Sequence, residues 1–271
     1  MAWLVAAPFA LLALVASVWF GVGYARFVRY HHHKGLERHQ VAFLPYALRE
    51  GVAILTVGLW HLRAAFADGL RTPKMVSGPP VLCLHGITQT GSNLWGIRRA
   101  LEARGRPTLA LSLGRLPRNR RHLGDRVAPE LLRLAALSST GRVDVVAHSL
   151  GGVVLRLVLA DRPDLAAKIG RVVTLGSPHR GTASLRGLPL GQAIHRLGRR
   201  STLLAGLPAL PADHVTTVAG IPDLIVYPAS TCHLPGSHCV DLPGVGHAGL
   251  LTRPEAIGAV LHALCGDATG A

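Results

Sequence analysis

The chain has 271 residues, 49% of them hydrophobic, which is enough to bury the core of one α/β domain and too many for a disordered chain. Its formal net charge is +15, but no nucleic-acid-binding motif or aromatic stacking platform accompanies the basic residues. We therefore expect no nucleic-acid partner. An anionic lipid surface is the better candidate, and a merely solvated arginine-rich face is the alternative.

The N-terminal segment, residues 1–25, predicts a single-pass membrane anchor. No charged side chain occurs between Ala2 and Ala25, and the stretch from Leu4 to Phe20 is almost wholly apolar. A helix of this length can cross the roughly 30 Å hydrocarbon core of a bilayer. A cleaved signal peptide is the second interpretation, although such peptides normally have a basic start and a shorter apolar stretch. A buried soluble helix is the third.

The side of the membrane is left open by two conflicting signals. Four basic residues follow the apolar span and none precedes it, namely Arg26, Arg29, Lys34 and Arg38. The positive-inside bias would hold the rest of the chain on the cytoplasmic side. Cys232 and Cys239, however, bracket a short loop that favours a disulfide first, free thiols second, and a zinc site with His233 and His238 third. A disulfide would require an oxidising compartment.

Residues 26–77 predict a basic juxtamembrane segment followed by a helical linker. The helix is expected over residues 40–70, broken near Pro45. Its apolar stretch from Val52 to Leu62 is too short to span a membrane alone. We expect this helix to lie on the membrane surface or to pack against the domain that follows.

Residues 78–271 predict one α/β domain. Short apolar strands alternate with segments of helical periodicity, which is typical of a mostly parallel sheet with helices on both faces. The strands are expected at 81–84, 107–113, 143–147, 168–175, 215–219 and 238–242, and the helices at 93–104, 127–137, 153–160 and 253–265.

The segment 143–152, Val-Asp-Val-Val-Ala-His-Ser-Leu-Gly-Gly, predicts a nucleophilic serine. An apolar strand runs into Ser149, and a helical pattern follows at once. Small residues two positions before and after the serine, Ala147 and Gly151, permit the sharp turn that exposes its Oγ at the carboxyl end of a sheet.

A second turn, His85-Gly86-Ile87, follows the first predicted strand. Its glycine lets the backbone approach a ligand. The N–H groups of Ile87 and Leu150 can then point at one oxygen and stabilise an oxyanion. We expect His85 to support this turn, and Gln89 to be a surface residue or to assist at its rim.

The acid and the base are expected after later strands. Asp223 follows the strand near 215–219, where it can accept a hydrogen bond from a histidine, and His247 lies in a glycine-rich loop that we expect to be mobile. The order serine, aspartate, histidine is the one used by folds with this nucleophile turn. Asp213 and Asp241 are the competing acids. A structural role is expected for Asp144, which starts the nucleophile's strand.

These motifs together resemble the α/β-hydrolase lipases and esterases, especially the small bacterial triacylglycerol lipases. The resemblance rests on Ala-His-Ser-x-Gly-Gly, on Asp-x-Ile-Val at 223–226, on Gly-Val-Gly-His-x-Gly-Leu-Leu at 244–251 and on Thr-Leu-Gly-Ser-Pro-His-Arg-Gly-Thr at 174–182. It covers roughly residues 78 to 266. It implies the α/β-hydrolase fold, an active serine hydrolase with Ser149, Asp223 and His247 as the triad, and no cofactor or metal.

Residues 181–213 depart from the resemblance by their length and their many leucines. They predict a cap over the acyl pocket that could open as a lid, and an ordinary amphipathic helix on the core is the alternative. The anchor favours a lipid ester as substrate. An acyltransferase or a thioesterase could use the same triad, and a membrane-tethered binding protein without activity is a further alternative.

Overall fold

The fold is built around one parallel sheet. The computed structural model describes residues 21–32, 42–67, 78–113, 120–185, 196–210 and 214–266. In these ranges six strands lie in the order β2-β1-β3-β4-β5-β6, and every neighbouring pair is parallel, as predicted. The strands are β1 (Val81–Leu84), β2 (Thr108–Leu111), β3 (Val143–His148), β4 (Ile169–Leu175), β5 (Val215–Ile221) and β6 (His238–Pro243).

Helices follow most strands. The described part of the chain contains α1 (residues 21–32), α2 (Phe43–Ala67), α3 (Trp95–Glu102), α4 (Arg120–Leu137), α5 (Leu150–Asp161), α6 (Thr202–Ala205), α7 (Gly249–Thr252) and α8 (Pro254–Cys265). The helix α4 begins at Arg120 rather than near Val127 as predicted. Its first turns are basic and polar, so they carry no apolar periodicity from which a start could be read.

The hydrophobic core lies on both faces of the sheet. Along β1, Leu82 and Leu84 belong to a cluster with α4 and α5, whereas Val81 and Cys83 belong to a cluster with α3 and α8. Successive side chains of a strand point to opposite faces, so a strand covered on both sides must be apolar at every position. All four residues of β1 are buried accordingly. The predicted arrangement of helices on both faces is confirmed.

The helix α2 packs against this domain. Pro45 lies in its first turn rather than at a break, which corrects the predicted interruption. A proline is tolerated there because the first N–H groups of a helix have no intrahelical acceptor. Tyr46 and Val57 are buried on the inner face of α2, and Asn93 Nδ2 donates to the Val57 carbonyl at 2.8 Å.

The opposite side of α2, here called the outer face, exposes large apolar side chains. Six of them recur every three or four positions and are 62% to 68% exposed: Leu44, Leu48, Val52, Leu55, Leu59 and Leu62. This spacing places them on one stripe of the helix. Contiguous exposed apolar patches are uncommon on the surfaces of soluble monomeric proteins.

The predicted anchor, residues 1–25, falls outside the described residues except for positions 21–25 at the start of α1. Within the described ranges, no helix is both long enough and apolar enough to cross a membrane. The described part of α1 packs on the domain through Phe27, which is buried together with Tyr46 and Tyr227.

The disulfide expected between Cys232 and Cys239 is not formed, and all four cysteines of the chain are free thiols. Cys232 is buried beside Ala219 and Val226, whereas Cys239 is exposed on the edge strand β6. No group of histidine, cysteine or acidic side chains in the described ranges could hold a metal ion. The argument for an oxidising compartment therefore loses its support.

The predicted cap, residues 181–213, is described in part, at 181–185 and 196–210. Its described portion is fastened to the domain. Leu204 and Leu207 are buried in the core cluster with α5. The buried guanidinium of Arg156 on α5 donates to the carbonyls of Leu207 at 2.7 Å and of Pro208 at 2.9 Å.

Candidate active site

Ser149 occupies a strained turn between β3 and α5. Its backbone has φ 54° and ψ −122°, a conformation that L residues rarely adopt and that persists only where the surroundings hold it. The Ser149 N–H donates to the Leu175 carbonyl of β4 at 2.8 Å, which fixes the turn to the neighbouring strand. The sharp turn expected from the sequence is present.

Two glycines after the serine allow the first turn of α5 to pack closely on its neighbours. A Cβ at Gly151 would lie 2.9 Å from the backbone carbon of Leu84 and 3.0 Å from the carbonyl oxygen of His85. A Cβ at Gly152 would lie 3.0 Å from the ring of His179. The first turn of α5 can therefore press directly on the carboxyl end of β1.

Asp223 and His247 form a buried ion pair. His247 Nδ1 donates to Asp223 Oδ2 at 2.7 Å. The other carboxylate oxygen, Oδ1, accepts from the N–H groups of Ile225 and Val226, both at 2.8 Å. Because three donors hold this fully buried carboxylate, the imidazole is fixed in orientation and its Nε2 is left for another partner.

The pKa of His247 is raised above its ordinary value. Burial of the ring lowers the pKa, but the negative charge of Asp223, its hydrogen bond to Nδ1 and the charge of Glu50 together outweigh that effect. A base with a raised pKa is better able to hold the proton that it takes from a nucleophile.

The loop that carries His247 lies against the serine turn. A Cβ at Gly176, the residue after Leu175, would lie 3.1 Å from His247 Nδ1. The ring of His148, directly before Ser149, lies 4.7 Å from the His247 ring, centroid to centroid. The structure thus brings the neighbourhoods of all three predicted triad residues together at the carboxyl end of the sheet.

The turn at 85–87 also touches the serine. A Cβ at Gly86 would lie 2.8 Å from Ser149 Cβ and 3.3 Å from its Oγ. The Gly86 N–H donates to Gln89 Oε1 at 2.8 Å and is therefore occupied. Leu150 begins α5, where an N–H has no intrahelical acceptor. The amides of Ile87 and Leu150 remain the predicted oxyanion donors.

His85 has the supporting geometry expected of it. Its Nε2 accepts from the Leu113 N–H at 2.8 Å, so Nδ1 carries the proton and donates to the Gly86 carbonyl at 2.7 Å. Burial, opposed by that hydrogen bond, lowers the pKa of His85, which keeps the ring neutral.

Gln89 contacts the turn directly, which fits the expected role at its rim rather than the alternative of a surface residue. Besides the Gly86 amide, its Oε1 lies 3.0 Å from His148 Nδ1. It therefore lies between the turn after β1 and the nucleophile's strand. The only signal for it was its position three residues after the glycine of the turn.

The competing acids lie elsewhere. Asp144 is buried, pairs with Arg106 at 2.7 Å and accepts from the Arg171 N–H at 2.6 Å, which makes it structural. Asp241 pairs with His233 at 2.9 Å on the exposed edge strand. Asp213 lies outside the described residues.

A second carboxylate beside His247 comes from α2. Glu50 is only 5% exposed, and its two oxygens accept from the Ala248 N–H at 2.6 Å and the Gly249 N–H at 3.0 Å. Burial raises the pKa of Glu50 to about 7, against the lowering effect of the Ala248 hydrogen bond. Sequence analysis placed this residue in a linker and gave it no role.

Comparison with known proteins identifies a matching family model and similar lipases. Residues 126–219 match the family model of the PGAP1-like alpha/beta domain. A triacylglycerol lipase of Vibrio cholerae is 26% identical over 159 residues, which is 52% of this chain and 50% of that lipase. The chain thus spans half the length of this curated relative.

Solved structures of lipases share the architecture. Aspergillus fumigatus lipase B superposes with a TM-score of 0.60 at 18% identity, covering 69% of this chain and 52% of that one. The mature form of Bacillus licheniformis lipase BlEst2 superposes with a TM-score of 0.52 at 16% identity, covering 72% and 94%. The chain therefore has the α/β-hydrolase fold, and the resemblance to lipases and esterases that its motifs indicate is confirmed.

Proposed function

We propose that this chain is a serine carboxylic-ester hydrolase acting on lipid esters through an acyl-enzyme. The observation that carries the proposal is the buried Asp223–His247 hydrogen bond, 2.7 Å long, beside a serine held at φ 54°. This combination supplies an oriented base and a nucleophile at the carboxyl end of the sheet, the two groups that acyl transfer needs. The sequence relatives named as triacylglycerol lipases support the choice of an ester substrate.

In the first half-reaction, His247 Nε2 takes the proton of Ser149 as Oγ forms a bond to the ester carbonyl carbon. The π electrons of the C=O bond move to its oxygen, where the N–H groups of Ile87 and Leu150 stabilise the negative charge. When the C=O bond re-forms, the bond to the alkoxy oxygen breaks. The proton on Nε2 passes to that oxygen, and the alcohol leaves.

In the second half-reaction, His247 takes a proton from water while the water oxygen bonds to the acyl carbon and the π electrons of the C=O bond move to its oxygen. The C=O bond then re-forms. The bond to Ser149 Oγ then breaks, and the proton returns to it from Nε2. Asp223 stays ionised throughout and stabilises the imidazolium that forms in each half. No cofactor or metal takes part in this scheme.

We also propose that the enzyme works at a membrane. Residues 2–25 carry no charge, the whole chain has a net charge of +15, and the outer face of α2 offers six exposed apolar side chains. A helix that places an apolar stripe at the headgroup boundary beside basic residues is typical of interfacial binding. A lipid ester would then reach Ser149 from the plane of the bilayer.

The test of the catalytic proposal uses full-length protein in detergent. Wild type should hydrolyse p-nitrophenyl butyrate and react with a fluorophosphonate probe, and Ser149→Ala should do neither while keeping the same circular dichroism spectrum. Ser177→Ala is the matched control, since this serine is buried beside Gly152 and should keep both activities. Turnover by the Ser149→Ala enzyme equal to that of wild type would overturn the proposal.

A further inference from the structure

The carboxylate of Glu50 accepts hydrogen bonds from the backbone directly after His247. One oxygen accepts from Ala248 and the other from Gly249, at 2.6 Å and 3.0 Å. These amides lie at the start of α7, whose first N–H groups have no acceptor within the helix. A buried carboxylate that takes up two such groups fixes both the position and the direction of the loop that ends there.

The glycines of the His247 loop leave room for this contact. A Cβ at Gly246 would collide with the carboxyl group of Glu50, and a Cβ at Gly249 would lie 3.1 Å from Glu50 Oε2. Gly246 has no positive φ, so conformational freedom does not explain it. The loop expected to be mobile because of its glycines is instead shaped to accept a carboxylate.

Glu50 is itself held in place. It lies on the buried face of α2, between Tyr46 and Val57, and Val57 is tied to the domain through Asn93. A Cβ at Gly96 would lie 2.8 Å from the ring of Trp60, so α2 and α3 are in close contact further along the helix. The carboxylate therefore sits on a rigid element.

We propose that Glu50 is a positioning residue for His247, so that α2 completes the active site rather than linking it to the N-terminal segment. Asp223 fixes one side of the imidazole through Nδ1, and Glu50 fixes the backbone that carries the ring. The charge of Glu50 also acts on the imidazolium that forms during turnover. The inference rests on the proposed function, since it assigns to His247 the role of the base.

The primary test compares Glu50→Gln with wild type in full-length protein. An amide has one acceptor oxygen, so it cannot take up both N–H groups, and it carries no charge. The value of kcat/KM for p-nitrophenyl butyrate should fall on the order of ten- to a hundredfold, mostly in kcat. The acid limb of its pH profile should move to lower pH, because protonated His247 favours the ionised form of Glu50 and the variant lacks that negative charge.

A purely structural role would give a different result. It would reduce the amount of active enzyme, measured by fluorophosphonate titration. The rate would then fall by the same factor at every pH, and the acid limb would not shift. Glu130→Gln is the matched control, because Glu130 forms a surface ion pair with Arg133 on α4 and should leave both rate and profile unchanged. An unchanged rate per active site in Glu50→Gln, or an unmoved acid limb, would overturn the proposal.

A double-mutant cycle tests the contact itself. Gly246→Ala should impair wild type strongly, because its Cβ meets the Glu50 carboxyl group, and should add little in a Glu50→Ala background. Equal losses of kcat/KM in both backgrounds would show that Gly246 serves another purpose and would contradict the proposal.

A measurement without turnover separates this inference from the proposed function. The His247 imidazole can be titrated by NMR in Ser149→Ala protein, with and without Glu50→Gln. The pKa of His247 should be lower when Glu50 is replaced. If wild type proves inactive yet the pKa still falls, the proposed function fails and the Glu50–His247 coupling stands. An unchanged pKa would refute the coupling whether or not the enzyme is active.

Discussion

His148 Nε2 donates a hydrogen bond of 3.1 Å to the backbone carbonyl of His247. The residue before the nucleophile thereby holds the residue proposed as the base, across 99 positions of sequence. Burial, reinforced by the neighbouring His247, holds the pKa of His148 well below its usual range, so this ring is a neutral fixture rather than a second base. The serine turn and the His247 loop are joined independently of the Asp223–His247 pair.

Replacing His148 by Phe should therefore loosen both loops. The His247 carbonyl loses its buried donor, which costs about 1–3 kcal/mol of the free energy of unfolding. Urea denaturation followed by circular dichroism measures this loss. The exposed His238 on β6 is the control, and its change to Phe should stay within about 0.5 kcal/mol. Equal effects at the two positions would contradict the role given to His148.

Asp223→Asn should lower kcat by about 10⁴ while leaving the fold intact. Its amide NH₂ would face His247 Nδ1 if its oxygen keeps accepting from the Ile225 and Val226 amides. The histidine must then carry its proton on Nε2 and cannot take one from Ser149. Burst kinetics with p-nitrophenyl butyrate would show a slowed acylation step. A variant with near wild-type kcat would mean that another carboxylate orients the base.

The sheet and the candidate triad could be predicted because their signals are local. A fully buried strand such as β3 is a short apolar run, and the turn at Ser149 requires small residues at fixed offsets in the sequence. Asp223 and His247 follow strands whose carboxyl ends meet at one edge of the sheet. These signals need no knowledge of distant contacts.

The role of α2 could not be predicted in this way. Glu50 interrupts an apolar helical pattern, as a solvated charge would, and its partners lie 198 and 199 positions further along the chain. From the sequence alone, Gly246 is interpreted as a flexible residue, because the sequence does not show that the Glu50 carboxylate lies beside it. The free state of Cys232 likewise depends on its burial beside Ala219, which the spacing of the cysteines does not reveal.

The glycines of two helices give a matched pair of predictions. Gly151→Ala should destabilise the fold by about 1–3 kcal/mol, because its Cβ meets rigid backbone of Leu84 and His85. Gly258→Ala in α8 faces open space and should stabilise the helix by up to about 1 kcal/mol. Thermal denaturation of the two variants measures the difference. A stabilising Gly151→Ala would mean that α5 does not press on β1 as described.

Substitutions on the outer face of α2 should lower the rate of lipid-ester hydrolysis but not that of soluble-ester hydrolysis. In proteoliposomes containing phosphatidylglycerol, Leu48→Lys combined with Leu55→Lys should lower the ratio of lipid-ester to soluble-ester hydrolysis several-fold, because it places charge in the apolar stripe. Leu132→Lys on α4, where the leucine is also exposed, is the control and should keep the ratio. An equal ratio in all three proteins would contradict the proposal that the outer face of α2 contacts the membrane.

The contribution of Glu50 to stability should fall as pH rises from 4.5 to 7. Burial raises the pKa of Glu50 from 4.5 to about 7, so the folded state binds a proton between these values that the unfolded state has released. This contribution is present below about pH 4.5 and is lost as pH rises through 7, by roughly 3 kcal/mol. The raised pKa of His247 acts in the same direction, because its contribution is also lost as pH rises through the folded-state pKa.

Glu50→Gln removes the first of these two contributions. Between pH 5 and pH 8, the change in the free energy of unfolding from urea titrations should therefore be more positive in this variant than in wild type, while Glu130→Gln should follow wild type. The comparison concerns the change with pH rather than the stability at one pH, so the hydrogen bond lost by the amide does not affect it. A steeper decrease in Glu50→Gln than in wild type would show that Glu50 is ionised at acidic pH, and that its contact with the His247 loop favours the charged form more strongly than burial opposes it.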